Sequence, residues 1–191
     1  MTSTTPAPLR ARNRGRWVLV ALFALFFGSM LVAGALRFSG WQPQVNRNHG
    51  QLLSPPADLR ALPPTLADGR AYEWNPAARH WRILLAPADD CAPACVTLSQ
   101  DLHKVWQLFG HNADNVEILW LGTPPPAVAG MPALRTLQRQ PSLRERLPGV
   151  DDPAGIPVYV VDPNGFVILR YAPGFDPGGL RADLAKLLKL K

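Results

Sequence analysis

The hydrophobic pattern of the chain begins with an uncharged run at residues 17–36. About twenty helical residues span a hydrocarbon core of roughly 30 Å, so this run predicts a transmembrane helix. Four arginines and no acidic residue precede it, at Arg10, Arg12, Arg14 and Arg16. The positive-inside rule therefore predicts that residues 1–16 lie in the cytoplasm and that the rest of the chain lies on the other side of the membrane. A cleaved signal peptide is the alternative, because residues 33–35 read Ala-Gly-Ala.

The pattern after this run changes from irregular to periodic. Residues 37–63 show no regular period and predict an extended tether, and residues 64–191 predict a folded domain. Short apolar runs at residues 81–86 and 116–121 are typical of buried strands. Between them, one helical face is formed by Leu98, Leu102, Val105, Trp106 and Phe109.

The last third of the chain adds a hairpin and a helix. Residues 123–155 are rich in proline and glycine, with helical pieces predicted at 134–140 and 143–147. The turn Asp-Pro-Asn-Gly at residues 162–165 separates two apolar runs and predicts a β-hairpin. Leucines at helical spacing then predict a C-terminal helix over residues 179–191. This order of elements predicts an α/β domain with a central sheet.

Composition and charge agree with a folded, membrane-attached protein. Hydrophobic residues make up 47% of the 191-residue chain and charged residues 18%. The net charge of +6 would suit a nucleic-acid partner, but the basic residues are scattered and their densest group precedes the apolar run. Membrane topology explains that charge, so no nucleic-acid partner is predicted.

The candidate chemistry lies in one Cys-x-x-x-Cys motif. Cys91 and Cys95 are the only cysteines of the chain. They could be a redox pair, a metal clamp or a structural bridge, although a bridge over so short a loop removes little chain entropy. An exported domain lies where disulfides can form. A helix that begins at the motif would stabilise a thiolate, whereas Asp89 and Asp90 would disfavour one, and the sequence does not decide which effect is larger.

The succession of strand, cysteine loop, helix, strand, Gly-Ile-Pro and Asn-Gly hairpin resembles the thioredoxin superfamily. Residues 81–121 and 155–170 carry the resemblance, and with the anchor they are most similar to small membrane-anchored bacterial Sco (synthesis of cytochrome oxidase)-like proteins. The resemblance implies a thioredoxin-like fold, with a central mixed sheet flanked by helices. It also implies that Cys91 is the attacking thiol, that Cys95 is the resolving thiol, and that Pro157 is the cis-proline beside them.

The resemblance further implies a role in the assembly of a respiratory oxidase. The partner would be a terminal oxidase subunit or another assembly factor. The protein would lie in the bacterial inner membrane with its folded domain in the periplasm, and it would be a possible thiol–disulfide oxidoreductase.

One departure from the Sco pattern keeps other functions open. Copper-carrying Sco proteins add a histidine to the two cysteines, and residues 150–157 of this chain contain none. His80, His103 and His111 are expected to be too far along their elements, which leaves His49 in the tether. Two thiolates alone can hold Cu(I). The alternatives to thiol–disulfide exchange are therefore a Cu(I) metallochaperone that uses Cys91 and Cys95, or a non-catalytic assembly scaffold.

Overall fold

A computed structural model describes residues 10–39, 48–88 and 91–189 of the chain. The chain forms two compact units, Met1–Val45 and Asn46–Lys191. In the first unit, helix α1 covers Arg10–Phe38 and contains the predicted uncharged run. Its portion Gly15–Phe38 is long and apolar enough to span a membrane.

The second unit is built on one six-stranded mixed sheet. Its strands are β1 (Gln51–Asp58), β2 (Trp81–Leu85), β3 (Val116–Leu121), β4 (Leu134–Leu137), β5 (Val158–Val161) and β6 (Phe166–Tyr171). They lie in the order β1-β6-β5-β2-β3-β4. β2, β3 and β4 are parallel to one another, whereas β5 is antiparallel to β2 and β6, and β1 is antiparallel to β6. The predicted α/β class with a mixed sheet is confirmed.

Strand β2 lies in the interior of the sheet, between β5 and β3, and its side chains are buried on both faces of the sheet. All five residues of Trp81–Leu85 are buried. Ile83 and Leu85 join the apolar cluster that includes α2 (Ala92–Gln107) and α5 (Pro177–Leu187). Leu84 joins a second apolar cluster. The described residues also form the short helices α3 (Pro126–Ala129) and α4 (Pro141–Glu145), and two 3-10 helices at Pro76–Ala78 and Gly110–Asn115.

The predicted hairpin is confirmed between β5 and β6. The Asp162 carboxylate accepts hydrogen bonds from the backbone N–H groups of Asn164 and Phe166, at 2.9 and 2.8 Å. Gly165 follows with φ +97°, a backbone conformation that glycine adopts at little cost. The turn residues thus fix the register in which β6 returns along β5.

Strand β1 lies within residues 37–63, where the sequence predicts an extended tether that packs onto the domain near Leu52 and Leu53. It pairs with β6 from Gln51 onward, with Leu52 opposite Leu169. The register shifts between Leu52 and Ala57, where the Ser54–Pro55 bond is cis. Prolines are accepted at sheet edges and bulges, and this is why a Ser-Pro-Pro stretch can belong to a strand.

Strand β4 corrects the helix that was predicted at residues 134–140. Leu134–Leu137 pairs parallel to β3, with Leu134 opposite Ile118. A segment of four residues is too short for its periodicity to separate helix from strand. The outer side of β4 is covered by the turn segment after Thr65, whose Ala67 N–H donates to the Thr136 carbonyl at 2.9 Å.

Candidate functional site

The two cysteines form a disulfide at the start of α2. Cys91 and Cys95 are bonded, with their Cα atoms 5.5 Å apart. Cys91 is the N-cap residue of α2, and the backbone N–H of Cys95 donates to the Cys91 carbonyl at 2.8 Å. Pro93 is accommodated in the first helical turn, where a backbone N–H has no helical partner. The helix therefore begins at the motif and not after it.

The two sulfur-bearing residues differ in exposure. Cys95 is fully buried in the apolar cluster between the sheet, α2 and α5, whereas Cys91 is partly exposed. A disulfide of this kind can be approached from solvent at Cys91 only. Asp89 and Asp90, which were expected to oppose thiolate formation, lie outside the described residues.

An apolar groove surrounds the exposed side of the disulfide. A cavity of about 390 Å³ is lined by Cys91, Ala94, Ile156 and Pro157, among others. A second cavity of about 400 Å³ shares Ala94 and Ile156 and continues to Phe175. The arrangement leaves space for an extended chain segment beside Cys91.

Pro157, which the resemblance predicts to be a cis-proline, follows a trans peptide bond. It is buried and lines the same cavity as Cys91. Ser54–Pro55 is the cis bond of the described residues, so Ile156–Pro157 is trans and the expectation of a cis-proline there is wrong. Trans is the favoured isomer of X-Pro bonds. The chain turns into β5 at Gly155 instead, where φ is +136°.

A charged pair borders the groove beside residues 150–157. Arg144 of α4 donates to the Asp151 carboxylate at 2.6 Å, and both residues line the cavity at Cys91. The hydrogen bond from Arg144 lowers the pKa of Asp151, so this carboxyl is ionised at neutral pH.

Arg170 of β6 fixes the same segment to the sheet. Its guanidinium donates to the carbonyls of Pro148 and Gly149, at 3.0 and 3.1 Å, and to the Asp152 carboxylate at 2.5 Å. The pKa of Asp152 is lowered by the Ala154 backbone N–H and by Arg170. These contacts hold the loop over residues 148–157 that forms one wall of the groove.

The substitution Arg170→Lys is expected to loosen this loop, because an ammonium group cannot reach all three acceptors in the geometry of a guanidinium. The expected cost is about 1–3 kcal/mol of unfolding free energy, since the lost contacts include a charged hydrogen bond. Amide hydrogen exchange over residues 150–157 should accelerate. Arg60→Lys is the matched control, because Arg60 pairs with Asp58 on the exposed surface and such pairs contribute about 0–1 kcal/mol. Equal exchange in both variants would contradict a holding role for Arg170.

No histidine of the described residues lines either of the two cavities beside Cys91. His49 is held on α5, where its Nδ1 lies 3.1 Å from Asp183 Oδ1. The His103 ring stacks on Trp106, and His80 lines a separate cavity. Within the described residues, there is no group of three or more His, Cys, Asp or Glu side chains that could hold a metal ion.

A larger cavity, of about 660 Å³, lies elsewhere, among residues of β2, β3 and β4 and the preceding loop. Arg82, 2% exposed, donates from Nε to the Tyr72 hydroxyl at 2.8 Å, and that hydroxyl donates to Glu117 at 2.5 Å. Burial, together with this bond to Glu117, raises the pKa of Tyr72 and keeps its hydroxyl protonated. The buried polar groups pair with one another, and the network stabilises the fold. It was not predicted, because residues 81–86 read as an apolar run.

Comparison with known proteins gives a consistent result. Residues 81–191 match the family model "Transmembrane-like, thioredoxin-like, C-terminal domain". Among solved structures, yeast Sco1 with copper bound aligns with a TM-score of 0.53 at 13% identity, covering 79% of this chain and 96% of Sco1. BsSco, a Sco-family cytochrome c oxidase assembly protein with a disulfide switch, has a TM-score of 0.50 at 13% identity, covering 78% of this chain and 100% of BsSco.

A SCO1/SenC family lipoprotein from Bacillus anthracis gives a similar alignment, with a TM-score of 0.50 at 15% identity over 72% of this chain and 99% of the lipoprotein. No curated protein matched the chain. At these identities, the structural similarities establish the fold. The expected thioredoxin-like fold and the resemblance to Sco-like proteins are confirmed.

Proposed function

The chain belongs to the family of transmembrane-like, thioredoxin-like C-terminal domains, and on that basis we propose that it is a membrane-tethered thiol–disulfide exchange protein of oxidase assembly. Its substrate is a cysteine pair of a terminal oxidase subunit that must be reduced before copper enters that subunit. The alternative substrate is a cysteine pair of another assembly factor. The fold similarity to yeast Sco1 and to BsSco supports this substrate class.

The observation that carries the proposal is the unequal burial of the disulfide at the start of α2. Cys91 is partly exposed and Cys95 is fully buried. A helix N-terminus carries a partial positive charge, which stabilises a thiolate there and favours it as the attacking group. Cys91 is thus suited to attack a partner, and Cys95 is suited to attack Cys91.

The exchange then runs in two balanced steps. In the reduced protein, the Cys91 thiolate attacks the partner's disulfide, so that a bond to Cys91 forms, the partner's S–S bond breaks and one partner thiolate leaves. The Cys95 thiolate next attacks the Cys91 sulfur, which restores the Cys91–Cys95 disulfide and releases the second partner thiolate. Two electrons pass from the protein to its partner, and the protons of the two cysteines pass to solvent or to the partner's thiolates. An exported dithiol reductant reverses the oxidation of Cys91 and Cys95.

The proposed location follows from helix α1. We place residues 17–36 as an uncleaved anchor in the bacterial inner membrane, residues 1–16 in the cytoplasm and the folded domain in the periplasm. The excess of arginines before the anchor supports this orientation. A periplasmic domain also suits the disulfide, since that compartment is oxidising.

Copper carriage by this chain has less support than thiol exchange. The two cysteines are ligands that Cu(I) accepts. A third ligand comparable to the Sco histidine is not found among the described residues, and His49 is engaged by Asp183. Copper carriage and a purely structural role are therefore alternative outcomes of the test.

The test compares full-length protein in detergent with its Cys91→Ser/Cys95→Ser double variant. The reduced wild type is expected to equilibrate with a glutathione redox buffer through one disulfide per chain, and to lose Cu(I) to a competing chelator. Tight one-to-one Cu(I) binding that the double variant lacks would instead show a copper carrier. If the two thiols neither exchange with glutathione nor bind Cu(I), the protein would be a non-catalytic assembly scaffold.

A further inference from the structure

A buried hydroxyl lies one helical turn after the buried cysteine. Ser99 of α2 is 4% exposed and Cys95 is 0% exposed. Within the part of the chain that the structure describes, the Ser99 Oγ atom has no hydrogen-bond partner. The redox pair and an unpaired donor therefore occupy the same face of one helix.

An unpaired buried hydroxyl is unusual in a helix. Serine and threonine ordinarily face solvent or donate to the carbonyl four residues earlier. Thr97, on another face of α2, does the latter, donating to the Pro93 carbonyl at 3.3 Å. Ser99 has neither arrangement, although leaving a polar group buried and unpaired is destabilising. Each such group calls for an explanation, and a redox or catalytic role is one of the known explanations.

Helix geometry directs this hydroxyl toward Cys95. Residues four apart on a helix have their Cβ atoms about 5–6 Å apart. The Cα–Cβ bonds tilt toward the helix N-terminus, so the Ser99 side chain leans toward the turn that holds Cys95. The remaining surroundings of Cys95 are the apolar residues of its cluster, including Leu102 and Val128.

The redox state of Cys95 decides whether it is a good acceptor. A disulfide sulfur is a weak hydrogen-bond acceptor, whereas a thiolate is charged and accepts strongly. An apolar site disfavours that thiolate unless a donor accompanies it. The Ser99 hydroxyl can therefore make a strong hydrogen bond to the Cys95 sulfur only after the disulfide is reduced.

We propose that the Ser99 hydroxyl donates a hydrogen bond to the Cys95 sulfur in the reduced protein, and that it thereby stabilises the thiolate that closes the mixed disulfide. The inference deepens the proposed function, on whose second step it rests. By stabilising the Cys95 thiolate, Ser99 would favour the reduced form of the protein and speed release of the partner.

The test uses an artificial disulfide, 5,5′-dithiobis(2-nitrobenzoate), with the reduced full-length protein in detergent. Attack by Cys91 releases one thionitrobenzoate and leaves the other bound to Cys91. Attack by Cys95 on Cys91 then forms the protein disulfide and releases the second, so one reagent molecule takes up two electrons and gives two coloured thiolates. The two phases report separately on Cys91 and on Cys95.

Ser99→Ala is expected to slow the second phase about tenfold, which corresponds to about 1.4 kcal/mol, and to leave the first phase unchanged. Ser99→Thr, which keeps the hydroxyl, should restore the second phase. Thr97→Ala removes a hydroxyl from the exposed face of the same helix and should change neither phase. The glutathione equilibrium of Ser99→Ala should shift about tenfold toward the disulfide.

A second measurement separates this role from simple packing. Denaturant unfolding of Ser99→Ala should show an oxidised form at least as stable as wild type, because an unpaired polar group has been removed, and a less stable reduced form. Equal loss of stability in both redox forms, or equal slowing of both phases, would overturn the proposal. If wild type itself released only one thionitrobenzoate per chain, the two-step exchange of the proposed function would fail instead.

Discussion

A Cys95→Ser variant is expected to remain covalently joined to its partner through Cys91. The first step of exchange needs only the exposed thiol, whereas the second needs the buried one. Without Cys95, the mixed disulfide can be resolved only by a free thiol from solution. Because intramolecular attack has a very high effective molarity, the lifetime of the mixed disulfide should lengthen at least about a thousandfold.

The measurement is a non-reducing gel followed by mass spectrometry of the trapped species, with the full-length variant expressed in cells that make a terminal oxidase. A band that disappears on reduction and contains a Cys91-linked oxidase subunit or assembly factor is the expected result. Cys91→Ser is the matched control and should trap nothing, because Cys95 is fully buried. Trapping by both variants would show that the two thiols are equally accessible and would contradict the assigned order of attack.

The elements that the sequence predicted best are those whose signals are local. Strand β3, Val116–Leu121, coincides with its apolar run. The turn at residues 162–165 is determined by its own residues, since the Asp162 carboxylate accepts hydrogen bonds from the two backbone N–H groups that close it. The sequence also singled out Cys91 and Cys95, because no other cysteine is available, but it left open whether they form a redox pair, a metal clamp or a structural bridge.

The elements that escaped prediction depend on distant partners. Strand β1 contains Pro55 and Pro56, and it is a strand only because β6 offers an edge that tolerates a bulge. The contact between His49 and Asp183 joins residues 134 positions apart, and no pattern in the sequence marks it. The buried pairing of Arg82 was likewise not predicted. Arg82 lies in an apolar run, and its partner Tyr72 lies outside that run, ten residues earlier.

Residues 150–157 contain no histidine. This segment presents Asp151 and Asp152, each bound by an arginine. A carboxylate engaged in this way is not free to turn toward a soft ion, and hard oxygen ligands suit Cu(I) poorly. The charged side chains that line the groove beside Cys91 are thus already engaged in ion pairs, which is compatible with the thiol exchange proposed above.

Asp183→Asn is expected to cause a large loss of stability in the domain. Asp183 is 1% exposed, so its charge is balanced entirely by the groups around it. Its Oδ2 atom accepts hydrogen bonds from the His49 N–H at 2.6 Å, the Tyr171 hydroxyl at 2.9 Å and the Gly50 N–H at 3.1 Å. Its Oδ1 atom lies 3.1 Å from both Lys186 Nζ and His49 Nδ1.

The amide of asparagine carries no charge and offers donors where acceptors are needed. Hydrogen bonds to a charged group contribute about 1.5–3 kcal/mol, and removal of one partner leaves others unsatisfied, so the expected loss at neutral pH is about 3–5 kcal/mol. Urea unfolding of wild type and variant measures it. Asp101→Asn is the control, because Asp101 pairs with Lys104 on the helix surface and its loss should cost no more than about 1 kcal/mol.

The same carboxylate gives the domain a defined acid sensitivity. Burial alone would raise the pKa of Asp183, but the Gly50 N–H, His49, Lys186 and Tyr171 together outweigh it and lower the pKa from 3.8 to about 2. Because the folded form holds its proton less tightly than the unfolded chain, this stabilisation is fully present above the unfolded pKa and is lost as the pH falls through 4 toward 2. A shift of this size corresponds to about 2 kcal/mol.

The wild-type free energy of unfolding should therefore fall more steeply between pH 5 and about pH 2 than that of Asp183→Asn, and the difference between the two curves should narrow by about 2 kcal/mol at the acid end. Other carboxylates with lowered pKa values, such as Asp151 and Asp152, are present in both proteins and cancel in the difference. Parallel curves would mean that Asp183 stabilises the fold through its packing and hydrogen bonds and not through its negative charge. A narrowing of this size would show that the ionised form of one carboxylate joins the beginning of the folded unit, at His49 and Gly50, to the C-terminal helix α5.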